Sequence, residues 1–199
     1  VKDADVVALQ ITEDLKKIAA WCCHNSLLIN PEKTKVLLLG TRQMRKKVPD
    51  GFCVTLLGKE LSPVPSANDL GVQVDETLTY DEHITNTVSA CIARLCQINR
   101  VKYIFKTQTL LNIINALVFS KLYYCSSVWS NTSKKNILKL QRVQNFAARI
   151  VSGTRKYDHI IPVLKELNWL PVCSMLSLRD AILAFKCVKG LAPSYLSDK

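Results

Sequence analysis

The hydrophobic pattern of the chain changes at about Asp75, and this change limits the possible folds more than any other feature. Before it, residues 6–24 carry apolar side chains every three or four positions, which is typical of an amphipathic helix, and short apolar runs follow. After it, the apolar spacing is helical almost throughout. We therefore predict an α+β, mainly α fold, with an N-terminal helix and a small antiparallel sheet in residues 1–75 and a helical bundle in residues 76–199.

Turn and capping signals place the expected elements. Strands are predicted at residues 35–39, 52–57, 61–64 and 70–74, with Gly58-Lys59 at the turn between the second and third. The run from Thr79 to Glu82 has the form of a capping box and predicts the start of the first bundle helix. Further helices are expected at residues 107–129, 133–152, 160–168 and 172–189, with Gly153 and Gly190 ending two of them.

The excess positive charge is confined to one part of the chain. The formal net charge is +11, and residues 83–157 contain twelve Lys and Arg but no Asp or Glu. A field of one sign attracts polyanions, and the phosphate backbone of nucleic acid is the expected partner. The alternative is a solubilising surface, although such surfaces usually mix both signs.

Two groups of basic residues are candidate nucleic-acid contacts. Lys135, Arg142 and Arg149 are spaced by seven, so on a helix they lie nearly on one line, about 10 Å apart. The second group lies in the loop after the first predicted strand and comprises Arg42, Arg45, Lys46 and Lys47. Either group could also be an ordinary solvated surface, and the acid-free neighbourhood favours nucleic-acid contact for the helical group.

Several other functional classes find no support in the sequence. The eight Cys include no Cys-x-x-Cys pair, so neither a zinc ribbon nor a thioredoxin-like site is indicated, and reduced thiols are expected. The three His have no metal-binding spacing, and we predict no metal site; His83 and His159 are interpreted as capping or packing residues. No run approaches about 18 uninterrupted apolar residues, and no secretory signal is seen, so we expect no membrane partner and an intracellular location, in cytoplasm and nucleus.

Several segments of the chain together resemble the motifs of one protein family. The first contains Trp21, Asn25, Asn30 and Lys33-Thr34, followed by an apolar run to Gly40. It is similar to the segment called motif D, which closes the palm in the reverse transcriptases of non-LTR (LINE-type, jockey-like) retrotransposons. Asn68-Asp69-Leu70-Gly71 stands where the family has motif E, the primer grip. Further similar segments are Leu140–Arg149, Asp158-His159, Trp169–Pro171 and Ala192–Leu196, so the resemblance covers nearly the whole chain in the family's order.

The resemblance implies roles for particular residues. Lys33 would be the motif D lysine, which neutralises charge on the incoming nucleotide's phosphates and donates a proton to the departing pyrophosphate as a general acid. Leu70 and Gly71 would form the primer grip. Without the family context, Lys33 would be an ordinary loop lysine and Leu70-Gly71 a plain turn. The implied partners are an RNA template and a DNA primer, and the implied cofactor of the complete polymerase is Mg²⁺.

The catalytic carboxylates of that family are not found in this sequence. The family carries an adjacent Asp pair before motif D, whereas this chain has no Asp-Asp dipeptide, and Asp3 and Asp5 are better interpreted as the first turn of a helix. We therefore expect a fragment that is inactive alone and that belongs with the missing N-terminal fingers and palm of the same polymerase. The alternative is a non-enzymatic basic module that binds RNA or protein, or a decayed retroelement remnant.

Overall fold

The computed structural model describes residues 4–197, except for the side chain of Asp5. Asp3 therefore lies outside the described residues, and the predicted helical first turn is not described there. The chain divides into two compact units, the first ending at Leu78 and the second beginning at Thr79. The fold is α+β and mainly α, as predicted.

Within the described residues, the first unit contains two helices and two β-hairpins. Its elements are α1 (Ala4–His24), α2 (Arg42–Arg45), β1 (Val54–Leu56), β2 (Lys59–Leu61), β3 (Ser66–Asp69) and β4 (Val72–Asp75). Strand β1 pairs antiparallel with β2, and β3 with β4. Helix α1 packs against β1, where the Thr55 N–H donates to Thr12 Oγ1 at 3.2 Å. The buried side chains of this unit are Val54, Leu56, Leu61 and Val72.

The strand predictions in this unit are only partly correct. The hairpin around Gly58 is confirmed, but its second strand lies at Lys59–Leu61 instead of residues 61–64. The strand predicted at residues 35–39 is wrong, since only Val36 forms a bridge, with Pro63. Pro63 and Pro65 lack the N–H needed to extend a ladder, which explains why this pairing stops. The predicted single sheet is two separate hairpins, because β3, formed by Ser66–Asp69, pairs with β4.

The described part of the second unit consists of helices joined by loops and contains no strand. Its elements are α3 (Asp81–Val101), a 3₁₀ turn (Lys102–Ile104), α4 (Thr107–Ile114), a π-helical turn (Asn115–Phe119), α5 (Ser120–Leu122), α6 (Ser126–Trp129), α7 (Lys134–Ser152), α8 (Ile160–Glu166), α9 (Val172–Val188) and α10 (Ser194–Ser197). Helices α3 and α7 pack against each other, and α8 and α9 pack against α7. The core of this unit contains the fully buried apolar side chains of Leu95, Ile114, Leu122, Leu140 and Val172, and the polar side chains of Asn136 and Gln144 are buried with them.

The helix predictions fit this unit better than the strand predictions fit the first. The helices predicted at residues 133–152, 160–168 and 172–189 are confirmed by α7, α8 and α9, and Gly153 ends α7 at φ 72°. The helix start predicted at residues 79–82 is confirmed, since α3 begins at Asp81, and Tyr80 occupies its N-cap position in the left-handed conformation. The helix predicted at residues 107–129 is interrupted twice, by the π turn and by Cys125 at φ 47°.

Candidate nucleic-acid interface

Helix α7 carries the predicted line of basic residues on the side away from the core. Leu140, Val143 and Ala147 are fully buried on its inner face. Lys135 and Arg142 are exposed, and neither makes a hydrogen bond or an ion pair with another residue of the described chain. Their charges are therefore available to a ligand, and a helix with this arrangement can follow a phosphate backbone while it packs on a core.

Arg149, the third residue of this line, has a different environment. Its guanidinium donates to three backbone carbonyls, those of Asn145 at 3.4 Å, Arg155 at 3.3 Å and Asp158 at 3.3 Å. The Asp158 carboxylate in turn accepts from the Arg155 N–H at 3.0 Å. Arg149 therefore holds the loop that follows α7 against the end of the helix. Its charge remains at the surface, but three of its five N–H groups already bond the protein.

A cleft of about 580 Å³ opens beside Arg142 and Arg149 of this line. It lies between the end of α3, the second half of α7 and the loop after α7. Its basic lining residues are Lys102, Arg142, Arg149 and Lys156. Asn99, Asn145 and Phe146 also line it, and no Asp or Glu does. A concave site with four positive charges and an aromatic side chain combines the two elements of single-strand nucleic-acid recognition, a charged groove and a stacking surface.

An amide network below the cleft fixes the orientation of Asn145. Gln141 Oε1 accepts from the Val172 N–H at 2.8 Å, which identifies Nε2 as the donor atom of the Gln141 amide. Gln141 Nε2 donates to Asn145 Oδ1 at 2.9 Å. Gln144 is oriented in the same way, since its Nε2 donates to the Leu170 carbonyl at 2.8 Å. The Asn145 Nδ2 is thereby left as a hydrogen-bond donor, and no described residue accepts from it.

Sequence reasoning missed most of this cleft. Lys102 and Lys156 were recognisable only as members of the acid-free stretch, because they come together through the packing of α3 on α7. Phe146 and Asn145 lie within the motif Leu140–Arg149, yet their spacing alone does not distinguish a cleft residue from a core residue. The available signal was an aromatic residue within the basic stretch, flanked by Arg142 and Arg149.

The predicted motif D lysine stands in a well-defined turn of the first unit. Asn30 Oδ1 accepts from the N–H groups of Glu32 at 2.9 Å and Lys33 at 3.3 Å, and Thr34 Oγ1 donates to the Asn30 carbonyl at 2.9 Å. Lys33 itself is exposed, and its ammonium has no partner among the described residues. The chain thus presents a positive charge from a turn that is held by the Asn30 side chain.

Leu70 and Gly71 form the tight turn between β3 and β4. Both have positive φ, 45° and 87°, which is the arrangement of a two-residue hairpin turn and is unusual for Leu. Glycine meets this requirement without strain at the second position. The Leu70 side chain is 86% exposed, so an apolar side chain and its backbone are displayed together at the hairpin tip.

The basic loop of the first unit is less uniform than its sequence suggests. Arg42, Lys46 and Lys47 are exposed on and after α2, which is capped by the Thr41 hydroxyl. Arg45 instead forms an ion pair with Glu76 and is largely buried. Its main contact is therefore internal, whereas the other three remain available to a ligand.

Three ionisable groups of the second unit are shifted by burial. Burial, and to a smaller degree the charge of Lys121, lower the pKa of His83 below its ordinary value. Burial raises the pKa of the Cys91 thiol, and it raises the pKa of Tyr123 to about 12 against the opposing charge of Arg179. These groups pack in the interior, and none of them lines the cleft. For His83, burial agrees with its interpretation as a packing residue.

Residues 4–197 contain neither a metal-binding cluster nor a membrane-spanning helix. No three His, Cys, Asp or Glu side chains there come together in a way that could hold a metal ion. None of the helices described is long and apolar enough to cross a bilayer. All eight Cys are present as free thiols.

Among known proteins, the chain is similar to the probable RNA-directed DNA polymerase from transposon BS of Drosophila melanogaster, with 26% identity over 161 residues. The match covers 79% of this chain and 17% of that protein, so the chain corresponds to a small part of the relative's length. No family profile matches the chain, and no solved structure gives a significant match. The similarity supports a relationship with the reverse transcriptases of transposons.

Proposed function

We propose that this chain is a C-terminal part of an RNA-directed DNA polymerase from a non-LTR, LINE-type retrotransposon and that it acts within the cell, in cytoplasm and nucleus. In this proposal residues 1–75 are the end of the palm and residues 76–199 a thumb-like and C-terminal helical region. The observation that carries the proposal is the basic stretch of residues 83–157, which contains no Asp or Glu and supplies the lining of a basic cleft, in a chain that is similar to a transposon polymerase.

The second unit would grip the RNA template and DNA primer through their phosphates. Lys135 and Arg142 are exposed, lie in a stretch of sequence without Asp or Glu, and form no ion pair with a described residue, so neither charge is neutralised by a paired carboxylate. Arg149 would add charge while it holds the following loop. In the first unit, Arg42, Lys46 and Lys47 would add contacts, whereas Arg45 would first have to leave Glu76.

Lys33 would assist nucleotide addition once the rest of the palm is present. Its ammonium would neutralise charge that develops on the departing pyrophosphate and would donate a proton to it. The turn held by Asn30 would position the lysine, since Asn30 Oδ1 accepts from the backbone N–H groups of Glu32 and Lys33.

Leu70 and Gly71 would act at the primer terminus. A hairpin tip with an exposed backbone can approach a sugar-phosphate chain closely, and a rigid two-residue turn holds the 3′ end in place at low entropic cost. The exposed Leu70 side chain would contribute an apolar contact at the same place.

Polymerisation would require residues that the described part of this chain does not bring together. Polymerases of this kind use two divalent cations held between carboxylates, and Mg²⁺ is the expected metal of the complete enzyme. The described residues form no such carboxylate cluster, so they do not fit this cofactor by themselves. We assign no metal-dependent step to this chain and expect no activity from it alone.

Nucleic-acid binding by the purified chain tests this proposal directly. An RNA template annealed to a fluorescent DNA primer is titrated at several salt concentrations, and the logarithm of the affinity should fall linearly with the logarithm of the salt concentration. Replacing Arg142 with Gln should reduce the slope by about 1. Lys16→Gln, which removes an equal charge from α1 of the first unit, is the matched control and should leave the slope nearly unchanged. Binding that does not respond to salt, or equal effects of both variants, would contradict the proposal.

A second candidate function is a basic RNA-binding or protein-binding module without catalysis, or the product of a decayed element. The lack of an Asp-Asp dipeptide in this sequence favours it. Reading the transcript upstream of the Val1 codon distinguishes the two. An open frame with an aromatic-x-Asp-Asp hairpin within a few tens of codons supports the polymerase, and a stop codon without such a hairpin supports the module.

A further inference from the structure

The cleft of the second unit differs from a surface that would only follow a duplex backbone. A duplex presents its phosphates on a convex cylinder, which a line of exposed charges such as Lys135 and Arg142 can follow. The cleft is instead concave, and its volume of about 580 Å³ lies in the range of sites that enclose a small organic group. Phe146, which is half-buried, contributes an aromatic side chain to its lining.

The polar groups of the cleft suit both parts of a nucleotide. Lys102, Arg142 and Lys156 supply positive charge from three different segments, and no acid lines the site. The Asn145 Nδ2 is left as a donor because the Gln141 amide occupies Asn145 Oδ1 at 2.9 Å. A donor of this kind can bond a carbonyl or ring nitrogen on the edge of a base, which is where single strands are recognised. Asn99 adds a second amide at the mouth.

We propose that this cleft binds one unpaired nucleotide of a single-stranded nucleic acid, with its base against the Phe146 ring and its flanking phosphates at Lys102, Arg142 and Lys156. This inference rests on the proposed nucleic-acid grip and adds its substrate class, an unpaired strand in contrast to a duplex. Arg149 has a positioning role here, since its bonds to the Arg155 and Asp158 carbonyls hold the loop that carries Lys156.

Two substitutions of Phe146 separate stacking from apolar packing. Leu keeps an apolar side chain but has no aromatic face, whereas Tyr keeps the ring. The full chain is titrated with a fluorescent 12-nucleotide oligo-U RNA, with oligo-dU of the same length, and with a 12-base-pair RNA duplex. Phe146→Leu should weaken the binding of both single strands about tenfold and the binding of the duplex less than about twofold. Phe146→Tyr, which keeps the ring, should bind the single strands with nearly wild-type affinity. Phe185→Leu, the same change on the exposed face of α9, is the control and should alter neither.

The outcomes separate this inference from the proposal on which it rests. If wild-type chain binds neither single strand nor duplex, both fail. If it binds with salt dependence but Phe146→Leu affects all probes equally or not at all, only the unpaired-nucleotide site fails. If the RNA single strand is bound and the DNA single strand is not, or the reverse, the site also distinguishes ribose from deoxyribose.

A measurement on the unmodified chain guards against a variant that does not fold. Oligo-U RNA that carries 4-thiouridine is cross-linked to wild-type protein by ultraviolet light, and the modified peptide is mapped. Cross-links within residues 142–156 or at Asn99 and Lys102 are expected. Cross-links that all map elsewhere would overturn the inference.

Discussion

At the residue scale, the Asn30 side chain holds the turn that carries Lys33. An Asn side chain bonds its own downstream backbone readily, and here it accepts from the N–H groups of Glu32 and Lys33. Lys35, two positions later, is exposed as well but lies beyond the turn. Any special role of Lys33 must therefore come from its position, since both lysines have the same charge and both are exposed.

Lys33→Leu should slow nucleotide addition in a polymerase restored with its upstream palm and fingers. Loss of a general acid removes about 10²-fold or more from the chemical step. The affinity for primer-template should change less than about twofold, because the lysine would act on the departing phosphates. Single-turnover incorporation measures the first quantity and filter binding the second. Lys35→Leu serves as the control, and an unchanged single-turnover rate in Lys33→Leu would refute the assigned role.

His83 gives the second unit a pH dependence that can be worked out from its burial. The residue is 8% exposed, its ring lies 6.1 Å from that of Trp129, and its pKa in the folded chain is below the ordinary value of 6.5. Above the pKa of the unfolded state, His83 is neutral in both the folded and the unfolded chain, so its titration does not change the free energy of unfolding. As the pH falls below about 6.5, the unfolded chain gains a proton that the folded chain resists, so the stability falls until the folded pKa is passed.

His83→Gln should therefore flatten the loss of stability that occurs as the pH falls below about 6.5. Urea unfolding midpoints of wild type and variant, measured at several pH values, give the slopes, and the slopes are compared because the substitution also changes packing. His159→Gln, a change at an exposed histidine, is the control. Parallel pH profiles for wild type and His83→Gln would show that His83 does not contribute.

At the scale of elements, α7 connects the segments of the second unit through two polar links. Gln141 and Gln144 bond the backbone on either side of Pro171, and this joins α7 to the start of α9. Arg149 bonds the loop before α8 through the carbonyls of Arg155 and Asp158. The motifs Leu140–Arg149, Asp158-His159 and Trp169–Pro171 are thus neighbours in space, and much of their sequence pattern can be explained by the folding of this unit.

The elements that sequence predicted well are those whose signal is local. Helices α1, α3, α7 and α9 each present a long apolar period, and Gly153 ends α7 in the left-handed conformation that favours glycine. The strand at residues 35–39 failed because a strand needs a partner, and the partner segment contains Pro63 and Pro65. The left-handed conformation of Cys125 could not be predicted from the sequence, since only tertiary packing imposes a positive φ on such a residue.

In the candidate site, too, the features that depend on local spacing could be predicted and those that depend on tertiary packing could not. The alignment of Lys135, Arg142 and Arg149 follows from helical geometry, so spacing was sufficient to predict it. The cleft depends on the packing of α3 against α7, and the partners of Arg45 and Arg149 depend on where distant segments return. Spacing could not have shown that Arg45 pairs with Glu76 or that Arg149 bonds three carbonyls.

At the scale of the whole molecule, the distribution of charge matters more than its sum. Residues 83–157 carry twelve positive charges without an acid, and the net charge of the chain is +11, so the rest of the sequence is close to neutral. A concentrated field of one sign raises the rate at which a polyanion arrives in a productive orientation. A uniform distribution of the same net charge would attract nucleic acid with much less orientation.

The double variant Lys134→Gln/Lys135→Gln should therefore slow association with RNA more than Lys16→Gln/Lys17→Gln, although both remove two charges. Lys16 and Lys17 pair with Glu13 and Asp14 on α1, whereas Lys134 and Lys135 belong to the acid-free stretch. Stopped-flow mixing with oligo-U RNA at about 50 mM salt should give an association rate several-fold lower for the first variant, and the difference should vanish at high salt, where the Debye length is only a few ångströms. Equal slowing by the two variants would mean that net charge alone governs association, and the concentrated basic surface would then have no special part in capturing nucleic acid.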